Sequence, residues 1–358
     1  MKIKSGDRSS RSESNDQDND QSSVELFICP EDKNSLSQWD HPSSRLNQLS
    51  LSADPIDPFC VSTHWNFSFQ EAFSPNRKLL IRSNSDSAIA FAENVFENGE
   101  VILTPIEAYW LFANPLLGSN AVELLAESIE EIEDHYQGEI PRILISGLKY
   151  EKDPFKSKLQ QMFGGKFGFS FFRQEELCSA SLEGGFDGFL SRRSTSYRRS
   201  LRKQVNRSQK HGFTFERHIP ITEAEALAVY ERMIAVELAS WKGIGQCGMA
   251  EHPAKEFYLA MITRLAQDQK ARIILARHEG KDIGFIFGGL AENHYRGQQF
   301  SFDQEWASSS VGNLMQLEQI QWLCEEGVTH YDLGPIMDYK HHWTEQRAIS
   351  ESWFLVQL

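Results

Sequence analysis

Residues Phe302–Trp343, FDQEWASSSVGNLMQLEQIQWLCEEGVTHYDLGPIMDYKHHW, decide how this chain is read. An apolar strand ends at Asp303, and a Ser/Gly loop opens a stretch whose apolar residues recur at helical spacing. A second strand follows and ends in Tyr331-Asp332-Leu333-Gly334, with Tyr339, Lys340 and Trp343 just beyond. Free amides at a helix N-terminus bind anions, and the macrodipole adds about half a positive charge there. One short segment therefore offers a phosphate cradle and, one strand away, groups able to move protons. That pairing suits an enzyme working on a phosphate-bearing carrier.

The chain has 358 residues, enough to bury a sizeable core in one or two domains. No apolar run approaches the roughly 18 residues that indicate a membrane span. The first 23 residues are polar and hold no apolar segment for a secretory signal. Five cysteines (Cys29, Cys60, Cys178, Cys247, Cys324) are scattered without metal-ligand spacing, so no metal site is expected. A reducing cytoplasm is the expected location. Formal net charge is −14, which argues against a general nucleic-acid binder. Residues 191–210 run against that background, with eight Arg or Lys and no acid.

Residues 1–23 read as a disordered polar tail and 24–57 as an irregular lead-in. From 58 onward the pattern is globular. Three apolar runs between Leu79 and Ile106 read as strands, followed by a helix at 121–136, a strand at 142–148, a helix at 153–163 and a strand at 167–174. A second unit is expected over 181–358: helices at 187–210, 222–241 and 252–268, and strands at 271–278, 282–290 and 294–303. A helix at 311–327 and strands at 329–334 and 350–358 complete it. The order predicts a mixed α/β sheet in two similar halves, 58–180 and 181–358.

These pieces resemble the GNAT acyltransferases in their duplicated, FemAB-like form, with the CelD-like branch the nearest match. The motifs carrying the resemblance are YRRSLRKQVNRSQKHGFTFE, ELASWKG, GFIFGG, SFDQEWASSSVGNLMQLEQI and YDLGPIMDYKHHW. The resemblance spans about 58–358 and implies transfer of an acetyl or longer fatty acyl group from a coenzyme A or acyl-carrier-protein thioester to a primary amine. The amine belongs to a small molecule or a peptide side chain, as in natural-product or cell-surface biosynthesis. The family's pyrophosphate loop has the form Gln/Arg-x-x-Gly-x-Gly/Ala; here Ser309-Ser310-Val311-Gly312-Asn313 stands in its place with a single glycine. Two other readings stay open: a FemAB-like transferase using aminoacyl-tRNA, and a binding module that keeps the fold without turnover.

Asp303, at a strand end, is a candidate base for the acceptor amine, or an anchor for the loop after it. Glu237, near the end of a long helix beside Ser240-Trp241-Lys242-Gly243, is the second candidate. Ser309, Ser310, Val311, Gly312 and Asn313 are candidates to hold the donor's phosphates. Asp332 either orients the acceptor amine or forms a turn with Gly334. The resemblance implies that Tyr339 protonates the leaving thiolate; Lys340 can balance a phosphate or the developing oxyanion. His341 and His342 are possible bases. Arg198 and Arg202, and Arg199, Lys203 and Arg207, make cationic stripes on one helix. They suit a cofactor phosphate, an acidic carrier or RNA, or pairing with acids elsewhere in the chain. Phe285, Phe287, Phe300 and Phe302 are read as an apolar acyl channel or as core.

Overall fold

The computed structural model describes residues 45–358 except 53; the expected tail at 1–23 and most of the lead-in lie outside the described residues. Two helices, α1 (Arg45–Ser52) and α2 (Thr63–Phe73), precede the first strand. Strands β1 (Leu79–Ser83), β2 (Ser87–Val95), β3 (Val101–Pro105) and β4 (Leu116–Gly118) lead to α3 (Ala121–His135) and β5 (Arg142–Lys149). Next come α4 (Pro154–Phe163), opened by Asp153, whose carboxylate accepts the Phe155 and Lys156 amides, and the long strand β6 (Phe167–Ser181).

The expected helix over 187–210 is two helices, α5 (Gly185–Ser191) and α6 (Thr195–His211). Ser194 starts the second by accepting the Tyr197 amide, and Gly212 closes it at φ +67°. Then follow β7 (Thr214–His218), α7 (Glu223–Ala239), the single turn α8 (Trp241–Ile244), α9 (Ala254–Gln267), β8 (Ala271–His278), β9 (Lys281–Ala291) and β10 (His294–Phe302). A 3₁₀ turn at Gln304–Ser309 leads into α10 (Val311–Glu325), then β11 (His330–Pro335), a second 3₁₀ turn at Asp338–His342 and β12 (Gln346–Gln357).

The strands form one mixed sheet in the order β1-β2-β3-β5-β12-β6-β11-β10-β9-β8-β7, with β4 alongside β2. The C-terminal strand crosses to the first half, pairing antiparallel with β5 and β6, while the far end of β6 pairs with β11. The two halves are joined by exchanged strands.

The feature that positions the site is a fork. Parallel strands β10 and β11 pair only at His294↔His330, Tyr295↔Tyr331 and Arg296↔Asp332. Beyond that pair β10 shifts register against β9 between Gly297 and Gln299, and β11 shifts against β6 between Asp332 and Pro335. On the α10 side, Tyr295 and Tyr331 stack with centroids 5.3 Å apart, in a core with Phe189, Ile320, Leu323 and Trp343. Burying each such aromatic stabilises the fold by roughly 2–3 kcal/mol. The four phenylalanines read as a possible channel are divided between cores. Phe285 and Phe287 pack with α7 and α9, whereas Phe300 and Phe302 pack with Val311 and Met315 under α10. They line no common channel, because neighbouring strand residues point to opposite faces.

Gly334 has φ +69°, and a Cβ built there would overlap the Arg296 guanidinium. Gly99 has φ +83° with nothing within 4 Å of a built Cβ. Gly99→Ala should therefore cost about 1–2 kcal/mol of backbone strain alone. Gly334→Ala should cost about 1–3 kcal/mol more, from overpacking. Urea denaturation of the two variants checks this; equal losses would mean that Gly334 serves only its φ angle.

Candidate active site

Arg296 stands in the crotch of the fork, 5% exposed. Its Nη1 donates to Asp332 Oδ1 at 3.0 Å, its Nε lies 3.2 Å from Asp57 Oδ2, and its guanidinium sits 5.3 Å from the centre of the Phe112 ring. Asp57 Oδ1 accepts the Phe59 and Cys60 amides at 3.1 and 2.9 Å. Asp332 Oδ1 also accepts the Gly334 amide at 2.6 Å, leaving Oδ2 for a further partner. A buried carboxylate, Asp57, and a half-buried one, Asp332, thus share one guanidinium. Burial pushes the Asp332 carboxyl above its ordinary range; Arg296 opposes this and the Asp57 charge reinforces it. A carboxylate so raised is a better proton acceptor than an exposed one. Asp332 also faces a cavity of about 290 Å³ on the Asp57 side of the sheet, walled by Asp54, Ser179, Glu292, Asn293 and His294 among others.

Parting two strands exposes backbone carbonyls, and a lysine meets each edge. On β11, Lys340 Nζ donates to the Leu333 and Pro335 carbonyls, both at 2.7 Å. On β10, Lys242 Nζ donates to the Phe300 carbonyl and to Gln299 Oε1, both at 2.9 Å. Gln299 Nε2 in turn donates to the Tyr258 hydroxyl at 2.7 Å. Burial lowers the ammonium pKa of both lysines; for Lys340, with Arg296 adding to the effect, it falls to about 8. Tyr339 stands at the same opening, partly exposed, 6.0 Å from the Phe300 ring, and burial pushes its hydroxyl up to about 12. Tyr339, Lys340, Gln299, Phe300 and Leu333 share a cavity of about 70 Å³ between the parted strands.

The α10 N-terminus lies after the same strand. Ser310 precedes it at φ +66° and makes no side-chain capping bond, while the Ser309 hydroxyl turns back to the Trp306 carbonyl at 2.6 Å. The amides of Val311, Gly312 and Asn313 are thus left uncapped by Ser310. A Cβ on Gly312 would come within 3.0 Å of the Phe302 ring, so glycine lets the helix start close against β10. The Asn313 side chain donates to Gln204 Oε1 at 2.9 Å, tying α10 to the basic helix α6.

Two expected bases are occupied elsewhere. Asp303 Oδ1 accepts the Glu305 amide at 3.0 Å and Oδ2 the Lys281 ammonium at 2.9 Å. Burial alone would raise its carboxyl, but Lys281 and that amide outweigh it and hold it below the usual carboxylate range. This is the anchoring role, and it makes Asp303 a weak base. Glu237 is fully buried; Oε1 accepts the Met249 amide at 2.9 Å, and Oε2 lies 3.4 Å from the Ser240 hydroxyl. It pins the loop that carries Lys242 and meets no cavity wall of the fork. His342 stacks on Tyr197 and His341 bonds to Arg347, so neither lines the fork.

Arg198 and Arg202 line a different cavity of about 320 Å³ between α5, α6 and α10, with Leu190, Leu201 and Leu317. Among the described residues none of Arg198, Arg199, Arg202 and Lys203 joins an ion pair; the Arg207 side chain lies outside the described residues. The residues missed by sequence reasoning are Arg296 and Asp57. The signal for Arg296 was a charge inside an apolar strand followed by Gly297. Asp57, in a turn-rich run, gave none.

Residues 195–341 match the family model described as an acetyltransferase (GNAT) domain. That stretch is similar to the acetyltransferase domains of the GNAT superfamily. The match takes in α6, the fork, α10 and Lys340. The fold of the whole described chain is similar to that of FemX, at 14% identity over 87% of this chain and 95% of that one, TM-score 0.59. It is also similar to a conserved protein of unknown function from Bacteroides thetaiotaomicron, at 10% identity over 92% and 98% of the two chains, TM-score 0.55. A third similar structure is L-PGS from Bacillus licheniformis, at 14% identity over 83% and 91%, TM-score 0.52. These likenesses concern the fold. A search of curated protein sequences returned no match. Among the described residues no cluster of His, Cys, Asp and Glu can hold a metal ion, and no helix is long and apolar enough to cross a membrane.

An NMR titration of the lysine side chains should find Lys340 losing its proton near pH 8, with burial and Arg296 both favouring the neutral amine. A midpoint at the ordinary lysine value of about 10.4 would contradict this environment.

Proposed function

We propose that the chain transfers an acyl group from a thioester, carried by coenzyme A or an acyl carrier protein, to a primary amine on a small molecule or peptide side chain. The observation that carries the reading is the fork: two parted strands whose open edges each face an ammonium, beside an uncapped helix start. The amides of Val311, Gly312 and Asn313 hold the carrier's phosphate, and the half-buried Arg198 and exposed Arg202 offer cations for its far end. The thioester arm runs between β10 and β11, with its carbonyl near Lys340.

The acceptor approaches from the Asp332 side, where Glu292 lines the same cavity and favours a cationic amine. Asp332 takes one proton from the ammonium, and the freed amine attacks the thioester carbon. The carbonyl π electrons move to oxygen, and Lys340 stabilises that oxyanion. Collapse re-forms the carbonyl and breaks the C–S bond; the thiolate takes a proton from Tyr339, which regains one from the amide nitrogen as it loses its second proton. Asp303, the base expected from the sequence, is replaced by Asp332 because Lys281 neutralises it. Cys60, Cys178, Cys247 and Cys324 are free thiols, which suits a reducing compartment.

The test is amine-dependent thiol release from acyl thioesters. Asp332→Asn should lower kcat/KM by about 10²–10⁴-fold, whereas Asp303→Asn, which keeps an oxygen for the Glu305 amide, should stay within severalfold. The reverse ranking would return the base to Asp303. The rate should rise with pH as Asp332 loses its proton, then fall as Lys340 deprotonates near pH 8. Lys340→Arg should remove the falling limb, because a guanidinium keeps its charge there.

A further inference from the structure

The small cavity inside the fork is walled on its inner side by polar groups without partners. Tyr331 is fully buried and Gln316 is 3% exposed, and the Tyr331 hydroxyl, Gln316 Nε2 and Gln298 Nε2 are buried atoms with no hydrogen-bond partner among the described residues. Behind them the Tyr295 hydroxyl and both amide atoms of Gln319 are in the same condition. Each such group destabilises the fold if it stays unsatisfied. Neither packing nor the transfer chemistry above uses any of them. Phe in place of Tyr331 and Leu in place of Gln316 would fill this space as well, so the polar atoms point to a ligand that bonds them.

The ligand's chemistry follows from what surrounds them. At about 70 Å³ the cavity is far smaller than the neighbouring ones of about 290 and 320 Å³, so the acyl group is short. An aliphatic chain would leave the amides and hydroxyl unpaired. A charged amine on the acyl group finds no carboxylate among the residues lining the cavity and meets the Lys340 ammonium at its opening. A hydroxyl both accepts from glutamine Nε2 and exchanges a bond with Tyr331.

We propose that this cavity is an acyl-group socket selecting a short, uncharged acyl chain that bears a hydroxyl, in preference to aliphatic or aminoacyl groups of similar length. The proposal rests on the thioester arm entering the fork. It assigns Gln298, Gln316 and Tyr331 to specificity, with Tyr295 and Gln319 supporting them.

The experiment compares pantetheine thioesters of butyrate, 3-hydroxybutyrate, β-alanine and octanoate, measuring both binding and amine-dependent thiol release. The 3-hydroxybutyryl thioester should bind and react at least tenfold better than the butyryl one. Tyr331→Phe and Gln316→Leu should each shrink that ratio toward unity. Tyr331→Phe should also melt no lower than the parent, since it removes a hydroxyl that the protein leaves unpaired. A lower melting point would mean that the hydroxyl is bonded within the protein, which overturns the proposal. Equal use of butyryl and 3-hydroxybutyryl thioesters, or preference for octanoyl or β-alanyl, overturns the socket and leaves acyl transfer standing. Preferential binding of the hydroxyacyl form without thiol release keeps the socket and overturns the transfer. No binding by any thioester overturns both.

Discussion

The guanidinium of Arg296 is the element on which the rest depends. Parallel strands gain from each added pair of backbone hydrogen bonds, so β10 and β11 need a reason to stop after three residue pairs. Arg296 and Asp332 form the last of those pairs and bind each other across it. The guanidinium fills the space that a side chain at position 334 would take, and a left-handed glycine turns β11 away at that point. Asp57 and Phe112 hold the other side of the same group. Removing one partner of a buried ion pair costs several kcal/mol, so the fork is fixed by an arrangement that tolerates little change.

Its consequences run outward. Two strand edges left open would strand carbonyls, and Lys340 and Lys242 satisfy them with charged donors. In the proposed reaction those ammonium groups would lie where a carbonyl oxygen gains negative charge, so the group that completes the strand edge would also suit the chemistry. The first half of the chain takes part as well. Asp57 and Phe112 come from it, and its strand β6 carries β11. A disturbance in either half reaches the fork through Arg296.

Much of the fold was legible. The helical spacing after Ser310 and the order of the strands and helices gave the mixed sheet and the loop-to-helix step. Helix α2 was not legible, because THWNFSFQEAF mixes aromatic and polar residues without a clear period. The split between α5 and α6 was missed because Ser194 sits inside one continuous basic run and reads as a helix residue until its cap bond is seen. Within the site, Tyr339, Lys340 and Asp332 line cavities at the fork. Asp303 and Asp332 both end strands and look alike in sequence. What separates them is that one meets Lys281 across a hairpin and the other shares Arg296 with Asp57, a residue from the opposite end of the chain. Such pairings are made by tertiary structure, and local pattern carries no trace of them.

The central claim is that the donor's arm passes between the parted strands while the start of α10 holds its phosphate. A crystal structure with a non-reactive thioether analogue of acyl-coenzyme A tests it most directly. The account predicts the pantetheine arm between Phe300 of β10 and Leu333 of β11, with a phosphate oxygen within hydrogen-bonding distance of the Val311–Asn313 amides. An analogue seated instead in the arginine-lined groove between α5 and α6, with β10 and β11 untouched, would contradict it.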